Sequence, residues 1–239
     1  MLEIKTNFQS SKIGNDDTDN EDAVFFDLTK NKFAIADGAT TGMYSQKWAN
    51  MLVKSFINSE KGLFDDPSIF DEIITTAKVE WKNAIPWDTL AWNAKAKAEQ
   101  GSFSTFLGLD LKPDAGFRWN AISVGDSCLF KIKSGQITGS FPLQNSSEFN
   151  YNPHLICSIS DSYKSHITTI SGMLETDESL LLATDSVSKW IAQRHETNPT
   201  ENILKVLPQD NVEIKEFFGK EIDAGNMKND DLTLLVISH

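Results

Sequence analysis

The sequence predicts an α+β protein, a four-layer α-β-β-α sandwich of two antiparallel sheets flanked by helices. Three observations predict it. Short apolar runs rich in Val, Ile, Leu and Phe follow one another across tight turns, as antiparallel neighbours do. Helical periodicities arrive in pairs between those groups. Strands and helices do not alternate one for one, which sets the chain apart from a parallel βαβ sheet. At 239 residues, one domain spanning 1–239 is the expectation.

The first pair of strands is Ala23–Leu28 and Lys32–Ala36, joined by the turn-like Thr29-Lys30-Asn31. Asp37-Gly38 breaks the second strand. Over Met43–Asn58, Trp48, Leu52 and Phe56 recur at helical spacing with Met51 beside them. A second helix is predicted from about Pro67 to Trp81, because Ile69, Ile73, Ala77 and Trp81 share a face, and Pro86 ends it. The middle of the chain reads as the strands Ser102–Leu111, Phe117–Val124, Ser127–Lys133 and Gln136–Ser140, separated by Gly-containing turns. Asn145–Ser162 is polar and irregular and reads as a surface loop. A strand at Ser179–Thr184, helices near Val187–His195, Glu201–Leu207 and Val212–Glu221, and a strand at Leu232–Ser238 complete the chain.

Charge and composition exclude several functions. The formal net charge is −12 and the only arginines are Arg118 and Arg194, so nucleic acid is not an expected partner. No apolar run approaches the roughly 20 residues of a membrane span. The N-terminus lacks a basic segment leading into an apolar one, so no signal peptide is read and a cytoplasmic location is expected. Cys128 and Cys157 have no metal-site spacing and read as small buried hydrophobes in a reducing compartment. The same holds for His154, His166, His195 and His239, which read as surface residues. Asp17–Glu21 resembles a calcium loop only weakly, since the central glycine is missing, and no G-x-S-x-G elbow is present.

The acidic residues carry the chemistry. Glu21-Asp22 precede one strand, Asp37 follows the next, Asp126 sits between two more, Asp185 follows Leu-Leu-Leu-Ala-Thr, and Asp230-Asp231 precede the last. A single Asp at a strand end is usually a turn former. Five such sites in one chain predict convergence on one rim, where unpaired carboxylates repel and some hold protons. No matching cluster of Lys or Arg is apparent at those strand ends. A hard divalent cation, Mn²⁺ or Mg²⁺, resolves the repulsion with oxygen ligands. Glycine after Asp37 lets a backbone carbonyl approach such an ion.

The ordered set Asn20–Ala23, Ala36–Gly38, Gly101–Phe106, Val124–Ser127, Leu181–Ser186 and Asn229–Val236 resembles the PP2C-like (PPM) serine/threonine protein phosphatases, bacterial type, across nearly the whole chain. Each motif is weak alone; six in order are specific. The resemblance implies two divalent ions and a third, weaker site. Asp37 would bridge the two, with the Gly38 carbonyl completing one and Asp185 and Asp230 holding the other. Glu21 and Asp22 would bind the second ion or orient its waters, and Asp126 would join Asp185 in the third site. The catalytic roles fall to Asp37 and Asp22. The implied reaction is hydrolysis of phosphoserine or phosphothreonine by water activated between the ions, without a covalent intermediate. A phosphorylated protein is the implied substrate, a serine/threonine kinase the implied counterpart, and a monomer the expected state.

Three departures bear on substrate choice and rate. Where family members usually carry a phosphate-gripping arginine, this chain has Asp17, and Lys12 is the candidate substitute as a point charge. Ala39 stands where eukaryotic relatives often have a histidine after Asp-Gly, and Ser186 where a glycine is usual. Two alternatives therefore stay open: a pseudophosphatase that binds phosphorylated partners without turnover, and hydrolysis of a small phosphate monoester.

Overall fold

The computed structural model describes residues 1–66, 68–149 and 152–239. Five strands form one sheet: β1 (Glu3–Ser10), β7 (Cys128–Lys133), β8 (Gln136–Phe141), β11 (Glu178–Ala183) and β12 (Leu232–Ser238). Their order is β1-β12-β11-β7-β8. A second sheet, ordered β10-β6-β5-β3-β2, contains β2 (Ala23–Asp27), β3 (Lys32–Ala36), β5 (Phe106–Pro113), β6 (Phe117–Val124) and β10 (Thr168–Leu174). Every ladder in both sheets is antiparallel, with Leu182 opposite Leu235 in the first and Phe26 opposite Phe33 in the second. A two-stranded ladder joins β4 (Phe103–Ser104) to β9 (Ile156–Cys157).

Three apolar layers make the four-layer sandwich. Between the sheets lie Phe33, Ile35, Leu107, Leu109, Leu129, Leu180, Leu182, Leu235 and Ile237. On the outer face of the second sheet, Ala34, Ala36, Phe106 and Ile122 pack under α1 (Ser45–Asn58) and α2 (Ile69–Ala84), which supply Trp48, Leu52, Phe56, Phe70, Ile74 and Trp81. On the outer face of the first sheet, Phe130, Leu181, Leu234 and Val236 meet α4 (Asp185–Thr197), α5 (Ile203–Val206) and α6 (Asn211–Asp223) through Trp190, Ile191, Ile203, Ile214 and Phe218. Alternate residues of β3, β11 and β12 thus enter different cores. A strand buried on both faces has no polar side, which is why these segments read as unbroken apolar runs.

The expected strands and long helices are found with shifts of one to a few residues. The expected start of the second helix, Pro67, lies outside the described residues, as do Asn150 and Tyr151 of the expected loop. The predicted strand Ser102–Leu111 is interrupted at Thr105, for a reason that belongs to the site. Two edge strands were not legible. β1 buries Thr6, Phe8 and Ser10 on one side only, and β10 is exposed along most of its length. Edges with one wet, polar face lack the apolar signal of central strands. The short helix α3 (Trp92–Ala98) leaves Trp92 85% exposed, so no core-facing periodicity marks it. Cys128 and Cys157 are buried and unlinked, and His154 stacks on His166. Among the described residues no helix is long and apolar enough to cross a membrane.

Candidate metal and phosphate site

One rim of the sandwich gathers the acidic residues, because the ends of β2, β3, β11 and β12 all lie there. Asp37 leaves β3, and the chain around Thr105 holds it. The Asp37 amide donates to Thr105 Oγ1 at 3.1 Å, and its carbonyl accepts from the Thr105 amide and the Ser104 hydroxyl, both at 2.8 Å. Thr105 Oγ1 also lies 2.8 Å from Ser127 Oγ, next to Asp126. The strand breaks at Thr105 because its polar groups turn to Asp37 instead of continuing the ladder. Gly38 is required where it stands: a Cβ there would lie 2.7 Å from the Glu21 carbonyl and 2.9 Å from the Ser45 carbonyl carbon.

Glu21 and Asp22 precede β2. The Glu21 carboxylate accepts from Thr40 at 2.6 Å and Ser45 at 2.5 Å, which fixes the loop after Gly38. Asp22 is 4% exposed and accepts from the hydroxyls of Thr184 and Thr233 at 2.9 and 2.8 Å through Oδ2. Its Oδ1 has no hydrogen-bond partner, and neither has the buried Oδ1 of Asp126. Asp185 opens helix α4, where its Oδ1 accepts from the Ser186 amide. Asp231 acts as a tie bar: one oxygen accepts from the Lys12 amide at 2.9 Å, the other from the Glu21 amide at 2.7 Å.

Electrostatics report the crowding. Burial pushes the Asp37 carboxyl well above its usual range, and the charges of Asp22, Asp185, Asp126 and Asp230 push it further. Asp22 is raised by burial, against its two threonine hydrogen bonds, with Asp231 and Asp185 adding to the rise. Burial and Asp185 bring Asp126 up to about 7. Asp185 is raised by burial and by Asp230.

A cleft of about 640 Å³ opens over this rim, lined by Glu21, Asp37, Gly38, Asp126, Asp185 and Asp230 among others. Asp22 lies behind it as a buried support. All the predicted acidic residues are therefore brought together. Lys12 does not line this cleft: it lines a second cavity, which shares Asp230 with it. Asp17, in the arginine position, is exposed and lies 3.4 Å from Lys215.

One cation, Lys228, stands among these acids, short of a matching cluster. Its ammonium pairs with Asp230 Oδ2 and lies 3.9 Å from Asp185 Oδ2. Burial alone would lower its pKa, but the hydrogen bond to Asp230 and the charges of Asp185, Asp230 and Asp37 raise it. Lys228 was legible only as a single cation two residues before Asp230. Thr105, Thr184 and Thr233 were also missed as site residues, because threonines in strand-like runs read as β formers.

The donor set fits a hard divalent cation in kind: several carboxylates, two with unpartnered buried oxygens, raised proton affinities, and Gly38 lining the cleft. Among the described residues, however, no group of three or more Asp, Glu, His or Cys side chains is placed to hold a metal ion. One lysine ammonium stands between two of the acids instead.

No protein-family model matches the sequence, and no curated protein does. Solved structures do. The chain is similar to the catalytic domain of the serine/threonine protein phosphatase PstP in complex with two manganese ions, at 14% identity and a TM-score of 0.65 over 99% of this chain and 97% of that one. It is similar to PppA, a regulatory component of T6SS in Pseudomonas aeruginosa, at 13% identity and 0.65 over the same shares. The serine/threonine phosphatase of S. agalactiae follows at 14% identity and 0.62, over 100% and 99%. At such identities the likeness is one of architecture, and it runs from end to end: the chain has the fold of the PP2C-like (PPM) serine/threonine phosphatases.

Proposed function

We infer that this chain is a divalent-metal-dependent phosphoprotein phosphatase that hydrolyses phosphoserine and phosphothreonine. The observation that carries the reading is the convergence of Asp37, Asp126, Asp185 and Asp230, from both sheets, on one cleft, with Asp22 buried behind them. In this reading Asp37 and the Gly38 carbonyl, Asp185 and Asp230, and Glu21 with Asp22 would hold two Mn²⁺ or Mg²⁺ ions, and Asp126 with Asp185 a third. The PstP neighbour's two manganese ions support that choice. When bound, such ions lower the pKa of water and neutralise charge on a phosphoryl group.

The chain's own contribution is preorganisation. Thr184 and Thr233 fix the Asp22 carboxylate. Ser104 and Thr105 fix the Asp37 backbone, and Glu21 fixes the loop beside it. Carboxylates held in place do not have to be reorganised when the substrate arrives. The unlinked, buried cysteines fit a reducing cytoplasm, where a serine/threonine kinase would supply the phosphorylated protein.

The test is hydrolysis of p-nitrophenyl phosphate and of a phosphothreonine peptide with Mn²⁺, comparing the wild type with Asp37→Asn and Asp185→Asn. Loss of activity in both variants supports the reading, and equal activity in all three proteins sinks it. A second reading, a pseudophosphatase, is favoured by Asp17 in the arginine position and by the lysine among the acids. Calorimetric binding of Mn²⁺ and a phosphopeptide without phosphate release would select it. A panel of small phosphate monoesters separates the remaining alternative.

A further inference from the structure

We propose that Lys228 is the phosphate-positioning cation of the cleft, and that its ion pair with Asp230 is a resting contact released when divalent charge occupies Asp185 and Asp230. This rests on the phosphatase reading. The starting point is a deficit of charge: a phosphate dianion must enter a cleft whose walls are carboxylates. Beside the divalent ions, any further cation that receives it comes from this chain. Arg118 pairs with Asp114 at 3.0 Å, and Arg194 makes a two-pronged contact with Glu201 at 2.8 and 2.7 Å. Lys12 lines the second cavity. Among the described residues two lysines line the cleft itself, Lys189 and Lys228, and of these only Lys228 pairs with the acids.

The build of the loop supports the assignment. Met227, the preceding residue, is buried in the core under the first sheet. Asn229, the following one, is pinned by paired hydrogen bonds to the Ile13 backbone at 2.8 and 3.2 Å. The root of the side chain is fixed on both sides, while 56% of the side chain is exposed and free to swing. A divalent cation competes with the ammonium for the same carboxylate oxygens. Once displaced, the tethered ammonium stays over the cleft, where a phosphate oxygen is its next anionic partner. Lysine binds phosphate as a point charge, which suits an arm that moves between two partners.

This double use gives effects of opposite sign. Removing the ammonium in Lys228→Met removes a competitor for the cation and also a partner for phosphate. In calorimetry, Mn²⁺ should bind Lys228→Met at least as tightly as wild type. Inorganic phosphate should bind the Mn²⁺-loaded variant about tenfold or more weakly, the loss of one charge-assisted hydrogen bond. Lys228→Arg should keep phosphate affinity within about threefold, since the charge remains.

Weaker binding of both Mn²⁺ and phosphate would make Lys228 a structural clasp and overturn the proposal. Unchanged phosphate affinity would overturn it too, as would a loss found in Lys189→Met and not in Lys228→Met. A wild-type protein that binds no Mn²⁺ would instead overturn the phosphatase reading on which the proposal stands.

Discussion

The Thr233 hydroxyl donates to Asp22 Oδ2 at 2.8 Å, although 211 positions separate the two residues. The contact joins β12 of one sheet to the approach of β2 in the other, and Thr184 makes the same kind of bond from the end of β11. Replacing Thr233 by Val keeps the shape and removes one donor from a fully buried carboxylate. The expected cost is about 1–3 kcal/mol, measured as a lower urea midpoint with an unchanged slope.

Asp126 sets a pH dependence in chelated protein. Its folded pKa is about 7, against an ordinary value of 3.8, so the folded state holds the proton more tightly than the unfolded chain does. The associated stability is complete below pH ~4 and is lost as pH rises toward and through 7, by roughly 4 kcal/mol at most. Urea titrations at pH 5 and pH 8 should show the fall, and Asp126→Asn should lessen it, leaving the share of the raised Asp22, Asp37 and Asp185. An unchanged profile in that variant would contradict the assignment.

Divalent cations should reverse that trend, because they bind the ionised carboxylates. Mn²⁺ at about a hundredfold excess over its Kd should add about 2.7 kcal/mol to the unfolding free energy, seen as a rise in Tm of about 5–10 °C. The gain should be larger at pH 8 than at pH 5. Asp185→Asn should abolish most of it while leaving the far-ultraviolet circular dichroism unchanged.

Gly38→Ala should be costly out of proportion to one methyl group. The added carbon would meet backbone of Glu21 and Ser45 below 3.0 Å, and backbone does not step aside as a flexible side chain does. A loss of about 1–3 kcal/mol is expected from overpacking, read in the same denaturation experiment. Mn²⁺ affinity should fall with it, since Glu21 and Asp37 flank the distorted turn.

Much of this was legible in the linear sequence, for identifiable reasons. Central strands such as Leu232–Ser238 announce themselves because both faces are buried, and α1 does so through Trp48, Leu52 and Phe56. The acids were legible because each follows or precedes such a run. The edge strands β1 and β10 were not, since one face of each is wet and polar. Lys228 was invisible for a different reason: its meaning depends on a turn after α6 that brings its ammonium back onto Asp230 and Asp185. Long-range partners of this kind, Thr233 with Asp22 among them, follow from sheet order rather than from local spacing.

The two sheets adhere through hydrocarbon over most of their contact but meet at one border through mutually repelling anions. That border is a fault line whose strength depends on the surrounding electrolyte rather than on packing. In a chelating buffer the amides of Lys12, Glu21, Gly38 and Thr105, which tie the border together, should exchange their hydrogens before those of β5 or β11. The protein would then loosen along a seam, well before it unfolds as a whole.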